Sequence, residues 1–145
     1  MGFTNDLLNG FGALLDTVGG AKWTPAGTYA PTDVGIYIQS TPPSPDGAVI
    51  LSSFAVSDDP TLADSVDGLQ VMTRMGGLDP RPVNDLADAI FDALQGLHDL
   101  TLSTGVRVNE CGRRSGLPLG QDDLRRWLRS DNYYVTAYRP APHRL

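Results

Sequence analysis

Gly68-Leu69-Gln70-Val71-Met72-Thr73-Arg74-Met75 alternates apolar and polar side chains, and a period of two is the mark of a half-buried strand. Upstream, Ala48-Val49-Ile50-Leu51-Ser52-Ser53-Phe54-Ala55-Val56 reads as a second strand, apolar enough at its start to be buried on both faces. Val34, Ile36 and Ile38 alternate with smaller or polar residues and mark a third. Thr41-Pro42-Pro43-Ser44-Pro45-Asp46-Gly47 separates these last two. Its prolines lack amide donors and Asp-Gly favours a tight reversal. Ser57 to Asp67 forms an acidic loop. Three strands with short or reversing connections predict antiparallel pairing.

Helices flank this block. On its N-terminal side Thr4-Asn5-Asp6 reads as a helix cap with an acid in the first turn. Leu7, Leu8, Phe11, Leu14, Leu15 and Val18 follow at helical spacing until Gly19-Gly20 stops the run. Gly10 and Gly12 each weaken this helix by about 1 kcal/mol relative to alanine, so it depends on packing. Residues 20–32 read as loop. On the C-terminal side, from Pro82, the residues Val83, Leu86, Ala87, Ile90, Phe91, Leu94 and Leu97 make one apolar face, with Asp85, Asp88 and Asp92 opposite. Leu100 to Val108 then reads as a strand pair around Ser103-Thr104-Gly105, Arg113 to Asp122 as a compact polar loop, and Tyr133 to Tyr138 as the last strand. Leu124 to Arg129 reads either as an interface patch around Trp127 or as a short helix whose tryptophan tucks under the sheet. The order predicts an α+β fold: two helices packed on one face of a mainly antiparallel sheet, with long loops. Residues 1–140 form a single domain, and 141–145 a tail.

A chain of 145 residues buries about two-thirds of its unfolded surface, enough for a real core. The net charge of −6 opposes nucleic-acid binding by phosphate neutralisation. That charge is uneven. Up to Gln70 there are eight aspartates against Lys22 alone, whereas beyond it ten arginines roughly balance nine acids. The dominance of arginine over lysine fits either a GC-rich genome or planar, bidentate interface pairing. One cysteine excludes an intramolecular disulfide. The first residues lack a basic region, and Leu7 to Val18 is interrupted by Asn9, Gly10, Gly12 and Asp16, so no signal peptide is expected. No apolar run approaches the ~20 residues that span a bilayer. These features predict a soluble protein made in a cytoplasm, with no membrane partner.

Catalytic chemistry finds little support. His98, His143 and Cys111 lack the close spacing of zinc ligands, and no G-x-S-x-G element or P-loop is present. Gly10-Phe11-Gly12 lies inside a helix instead of at a strand-to-helix turn. Asp58-Asp59 and Asp122-Asp123 are adjacent loop acids, a pattern that is usually solvated and only occasionally binds a cation. Cys111 with His98 as base is the one nucleophile pairing the composition permits, and lone cysteines are mostly structural. No cofactor and no metal are expected. On the last strand, alternation places Tyr134 in the core and Tyr133 at the surface, while Tyr and Arg together are the residue types enriched at protein interfaces.

The closing stretch carries the clearest functional signal. Leu119-Gly120-Gln121-Asp122, then Arg126, then Asn132-Tyr133-Tyr134-Val135 and Arg139-Pro140 resemble the end of tailed-bacteriophage tail terminator proteins, also called minor capsid or tail-to-head joining proteins. The helix from Pro82 belongs to the same resemblance; the first half fits only in layout. Asp123 to Leu128 departs from the usual Gly- or Asn-containing version. The resemblance implies an α+β subunit of a hexameric ring that caps the tail tube, stops its polymerisation and meets the head-completion, or stopper, protein in the virion. It implies a noncatalytic protein whose partners are its own copies, the tail tube protein and the stopper, with genomic DNA passing through the lumen unbound. A subunit of this kind needs two different complementary patches. Arg113, Arg114, Asp122, Arg126, Trp127, Asn132, Tyr133 and Arg139 are the expected interface residues, and Asp58, Asp59 and Asp64 the expected acidic surface facing a neighbour or the lumen. A stopper protein and a small regulatory binding module are the competing readings.

Overall fold

The computed structural model describes residues Gly2 to Arg144. Helix α1 (Phe3–Leu14) is followed by a 3-10 turn (Val18–Gly20), β1 (Ala21–Lys22), β2 (Val34–Ile38), β3 (Gly47–Asp58), β4 (Asp64–Met75), α2 (Arg81–Leu94), β5 (His98–Thr101), β6 (Arg107–Gln121) and β7 (Trp127–Tyr138). The strands form one seven-stranded sheet in the order β1-β2-β3-β4-β7-β6-β5, curled into a half-barrel. The fold is α+β as expected, but the sheet is mixed: β1, β2 and β3 run parallel to one another, and only the remaining pairings are antiparallel.

The parallel pairing of β2 with β3, Val34 opposite Gly47 through Ile38 opposite Leu51, corrects the expectation of a reversal at the Pro-rich turn. Residues 39–46 instead carry the chain back to the level where β2 began. Parallel neighbours usually need a dozen or more connecting residues, so this return path must be held. Two buried arginines hold it. Arg74 on β4, fully buried, donates from Nε to the Asp46 carbonyl (2.9 Å) and from Nη2 to those of Pro42 (2.7 Å) and Pro45 (2.8 Å). Arg126 donates to the Pro43 carbonyl (2.5 Å). Prolines give no amide, yet their carbonyls still accept, and the guanidinium forks supply the donors that a strand neighbour would.

Both helices cover one face of the sheet. Leu7, Leu8 and Phe11 of α1, and Leu86, Ile90 and Leu94 of α2, pack in a single core with Val49, Leu51, Leu69, Val71, Val135 and Ala137. α1 starts one residue before Thr4 and has no side-chain cap; it stops at Leu14, earlier than the apolar spacing suggested. Its interior glycines are explained by packing. A Cβ on Gly10 would lie 2.8 Å from the Leu102 side chain, and one on Gly12 would lie 2.6 Å from the Trp23 ring. On the other face a small cluster, Tyr37, Ala48 and Ile50, is covered by Tyr29 and Met72.

The second half departs most from expectation. Arg113 to Asp122, expected as a loop, is the far half of the long strand β6, with Gly116 opposite Asp131 and Pro118 opposite Arg129. Gly, Ser and Pro hide the strand, and pairing with β7 imposes it. β7 begins at Trp127, so Leu124 to Arg129 is not a helix but a turn running into a strand. The acidic loop shrinks to residues 59–63, because β3 extends to Asp58 and β4 starts at Asp64. The hairpin around residues 102–106 is as expected. The tail folds back: Arg144 donates to the carbonyls of Leu62 and Asp64 and to Ser65 Oγ. Leu145 of the expected tail lies outside the described residues.

Candidate functional site

The closing motif builds the β6–β7 hairpin tip. Asp122 Oδ1 accepts the backbone N–H groups of Leu124 (3.0 Å) and Arg126 (2.9 Å), while Oδ2 accepts from Arg126 Nε (2.9 Å). Gln121 Nε2 donates to the Arg125 carbonyl (2.9 Å). Burial pushes the Asp122 carboxyl up; the backbone and side-chain hydrogen bonds from Arg126, with its charge, outweigh that and hold it below its ordinary value. Arg126, only 7% exposed, then reaches across to Pro43 and Asp46 (3.6 Å). Beside it, burial first and the Arg126 charge second lower the Arg74 pKa. Arg126 was expected between subunits; here it is a strut between the hairpin tip and the Pro-rich turn.

A second centre surrounds Asp131, which is 2% exposed. Its carboxylate accepts from Arg129 Nε (3.0 Å) and Nη2 (3.3 Å) and pairs with Arg113 (3.5 Å). Arg113 also lies 4.3 Å over the Phe91 ring of α2, and Arg129 reaches Asn84 (3.5 Å). Tyr133 sits behind this group, fully buried, so it is a core residue and not the surface tyrosine that alternation predicted. Burial, then the Asp131 charge, raise its pKa. The strand's faces are the reverse of the expected ones: Tyr134 is the partly exposed ring, and Arg114 stacks 5.0 Å over it. Asn132 donates to Ser115 Oγ (3.1 Å), and Trp127 Nε1 donates to the Gly77 carbonyl (3.1 Å). Arg139 lies 4.6 Å over Phe3.

The acidic residues lie around the β3–β4 turn. Asp58 ends β3, 4.0 Å from Arg144; Asp59 accepts from Thr61 N–H and Oγ1 (both 2.7 Å), which lowers its pKa; Asp64 opens β4. Asp67, behind them, is 7% exposed and its Oδ2 has no hydrogen-bond partner among the described residues. Burial, then the charge of Asp58, raise its pKa. The sheet therefore keeps Asp58, Asp59 and Asp64 apart from Arg113 and Arg114: β4 and β7 lie between β3, which ends at Asp58, and β6, and β7 lies between Asp64 on β4 and β6. Arg74, Asp131 and Asp46 escaped the sequence reading. Their one signal was a charged residue inside an apolar alternating strand, next to a segment rich in carbonyls and poor in amides.

His98 and Cys111 line one open cavity of about 440 Å³ together with Glu110, Arg113, Arg114 and Tyr134. Burial pushes the Cys111 thiol up to about 12, so it stays protonated and is a poor nucleophile. Among the described residues no cluster of His, Cys, Asp and Glu is arranged to hold a metal, and no helix is long and apolar enough to cross a membrane.

Comparison with known proteins supplies the context for these surfaces. A chain of the native gene transfer agent virion has a similar fold: the TM-score is 0.58 at 20% identity, over 70% of this chain and 78% of that one. None of the curated proteins matches. The family model described as "Bacteriophage tail terminator protein" matches residues 14–139, from the end of α1 through all seven strands and the closing motif. By that match the chain belongs to the bacteriophage tail terminator family, and is a structural protein of the virion tail.

Proposed function

We propose that this chain is the ring-forming terminator itself. Copies of it, six by the family resemblance, close on the end of the tail tube, stop its polymerisation and present a surface to the head-completion protein. Genomic DNA passes through the lumen without specific binding, helped by the net charge of −6, which repels phosphate. The observation that carries this reading is the family match across residues 14–139. Geometry supports it, since a cyclic ring needs two unlike complementary patches on each copy. The acidic residues Asp58, Asp59 and Asp64 cluster around the β3–β4 turn, and Arg113 and Arg114 lie on β6, two strands beyond β4. Arg126, Asp122 and Tyr133 serve inside the chain and Arg113 is paired there with Asp131, so bridging falls chiefly to the exposed Arg114, with Arg139, Trp127 and Asn132 at the margins.

Light scattering after size exclusion tests this, with the protein alone and mixed with the tail tube protein. A ring-sized mass in either case is expected. A monomer that ignores the tube protein at low and moderate salt overturns the reading. Charge reversal at Arg114 weakens assembly most at low salt; assembly untouched at every salt concentration would remove this residue from the interface.

A further inference from the structure

The sheet is incomplete at two diagonal corners. β2 covers β3 only from Gly47 to Leu51, with Gln39 N–H adding a bond to the Leu51 carbonyl. Beyond it, the outer edge of β3 from Ser52 to Asp58 pairs with no other strand among the described residues. β5 covers β6 only as far as Glu110; Leu97 and Gly96 add bonds to Cys111, and Gln95 Oε1 accepts the Arg113 N–H (2.7 Å). From Arg114 to Gln121 the outer edge of β6 is likewise without a strand neighbour. Unpaired edges of this length invite pairing with another chain.

Most of the exposed large hydrophobic side chains gather at the same corners, with Leu78 and Tyr138 elsewhere. Phe54 and Val56 stand on the open part of β3, with Leu62 in the turn after it. Leu117 and Leu119 stand on the open part of β6, with Leu124 in its turn. Phe54 is fixed in place: its ring covers Gly68, where a Cβ would come within 2.1 Å of it.

We propose that the open edge of β3 in one copy pairs antiparallel with the open edge of β6 in the next, joining copies head to tail into one continuous sheet. This rests on the ring reading above and says which surfaces close it. The direction is right: β3 and β6 are antiparallel within the chain through β4 and β7, so rotation about an axis along the strands brings opposed edges together. The offset is right as well. Within one copy Leu117 is level with Ser130, Met72 and Ile50. Placing Phe54 of the next copy opposite Leu117, both on the sheet face away from the helices, shifts it about 14 Å along the strands, over a four-strand width of about 19 Å. That is a tilt of about 36°, within the ~35–45° at which sheets close into barrels. The charges also agree, since this register sets Asp58 against the Arg113–Arg114 pair.

Pro118 removes one donor from the β6 edge, and irregularities between Arg113 and Ser115 and between Pro118 and Gly120 divide it. The backbone pairing is therefore short, and the apolar and charged side chains must complete the contact. The same interruptions discourage pairing of β6 with a second β6.

Two single-cysteine additions test the proposal, because the native Cys111 is buried. Val56→Cys and Leu117→Cys proteins are mixed, with or without the tail tube protein, and treated with a short bis-maleimide while the mass is followed by light scattering. The mixture is expected to give covalent dimers, whereas neither variant alone cross-links to itself. In parallel, Asp58→Arg and Arg114→Asp are each expected to lose ring formation, and their combination to restore it. A ring of full mass with no mixed cross-link, or with either variant linking to itself, overturns edge pairing and leaves the ring reading intact. Absence of any ring from the unmodified chain, alone or with the tube protein, overturns the ring reading and this proposal with it.

Discussion

The hairpin-tip end of the sheet and the β3–β4 end both bury charge, and they compensate it unequally. At the tip, two guanidiniums lie side by side and below 10% exposure; Arg74 reaches three carbonyls and keeps only Nη1 without a partner among the described residues, and Arg126 reaches a carbonyl and two carboxylates. At the other end, Asp67 is buried with one oxygen unpaired and Asp58 close enough to raise its pKa. Burial is costly for a charge in either place, and the difference lies in how many hydrogen bonds repay it. The tip is a structural joint in which several hydrogen bonds offset the burial of each guanidinium. The β3–β4 end is strained electrostatically and open along its edge.

The sharpest way to break this contrast is at Arg74. Arg74→Leu strips donors from Pro42, Pro45 and Asp46 and is expected to cost about 3–5 kcal/mol in urea unfolding; a midpoint equal to that of the parent would show that the return path holds itself. Next comes Asp131→Ala, which leaves Arg113 and Arg129 facing each other without their carboxylate. A loss of about 2–3 kcal/mol by the same measurement is expected, together with weakening of the contact between β6 and α2.

Asp122→Ala is expected to cost about 1–2 kcal/mol at neutral pH. The folded pKa of Asp122 is lowered, so its contribution is present above the unfolded value of about 4 and disappears as pH falls through the folded value. Thermal melts of parent and variant should therefore converge in acid. Asp67→Asn is the smallest effect and has the opposite sign. Because the folded pKa of Asp67 is raised, the charged form destabilises the fold once pH rises through it, and nothing is lost below about 4. The variant should gain about 1 kcal/mol or less at pH 7 and match the parent in acid. A loss at pH 7 would mean that the carboxylate has a partner this contrast overlooks.

Much of the scaffold was legible because it rests on local periodicity. α2 declares itself through Val83, Leu86, Ala87, Ile90 and Leu94, all of which are buried, and the cores of β3 and β4 through alternation. The family was legible from the closing motif, which the match over residues 14–139 bears out. The roles within that motif were not. Asp122 and Arg126 look like surface residues in a polar stretch, and only the return of the hairpin tip to Pro43 and Asp46 turns them inward. Tyr133 and Tyr134 exchange faces for a related reason: alternation shows that neighbours point apart, and register alone decides which one points in.

By itself the sequence determined the α+β class, the two amphipathic elements, the strand alternation and the kinship to tail terminators, because each is written in spacing over a few residues. The tertiary structure decided the rest. A Pro-rich segment becomes a parallel return instead of a hairpin because Arg74, far along the chain, supplies donors that its own neighbours lack. A Gly- and Pro-containing stretch becomes the far half of β6 because β7 offers it a ladder. Hydrogen-bond partners and sheet register are long-range quantities, and no local pattern of side chains encodes them.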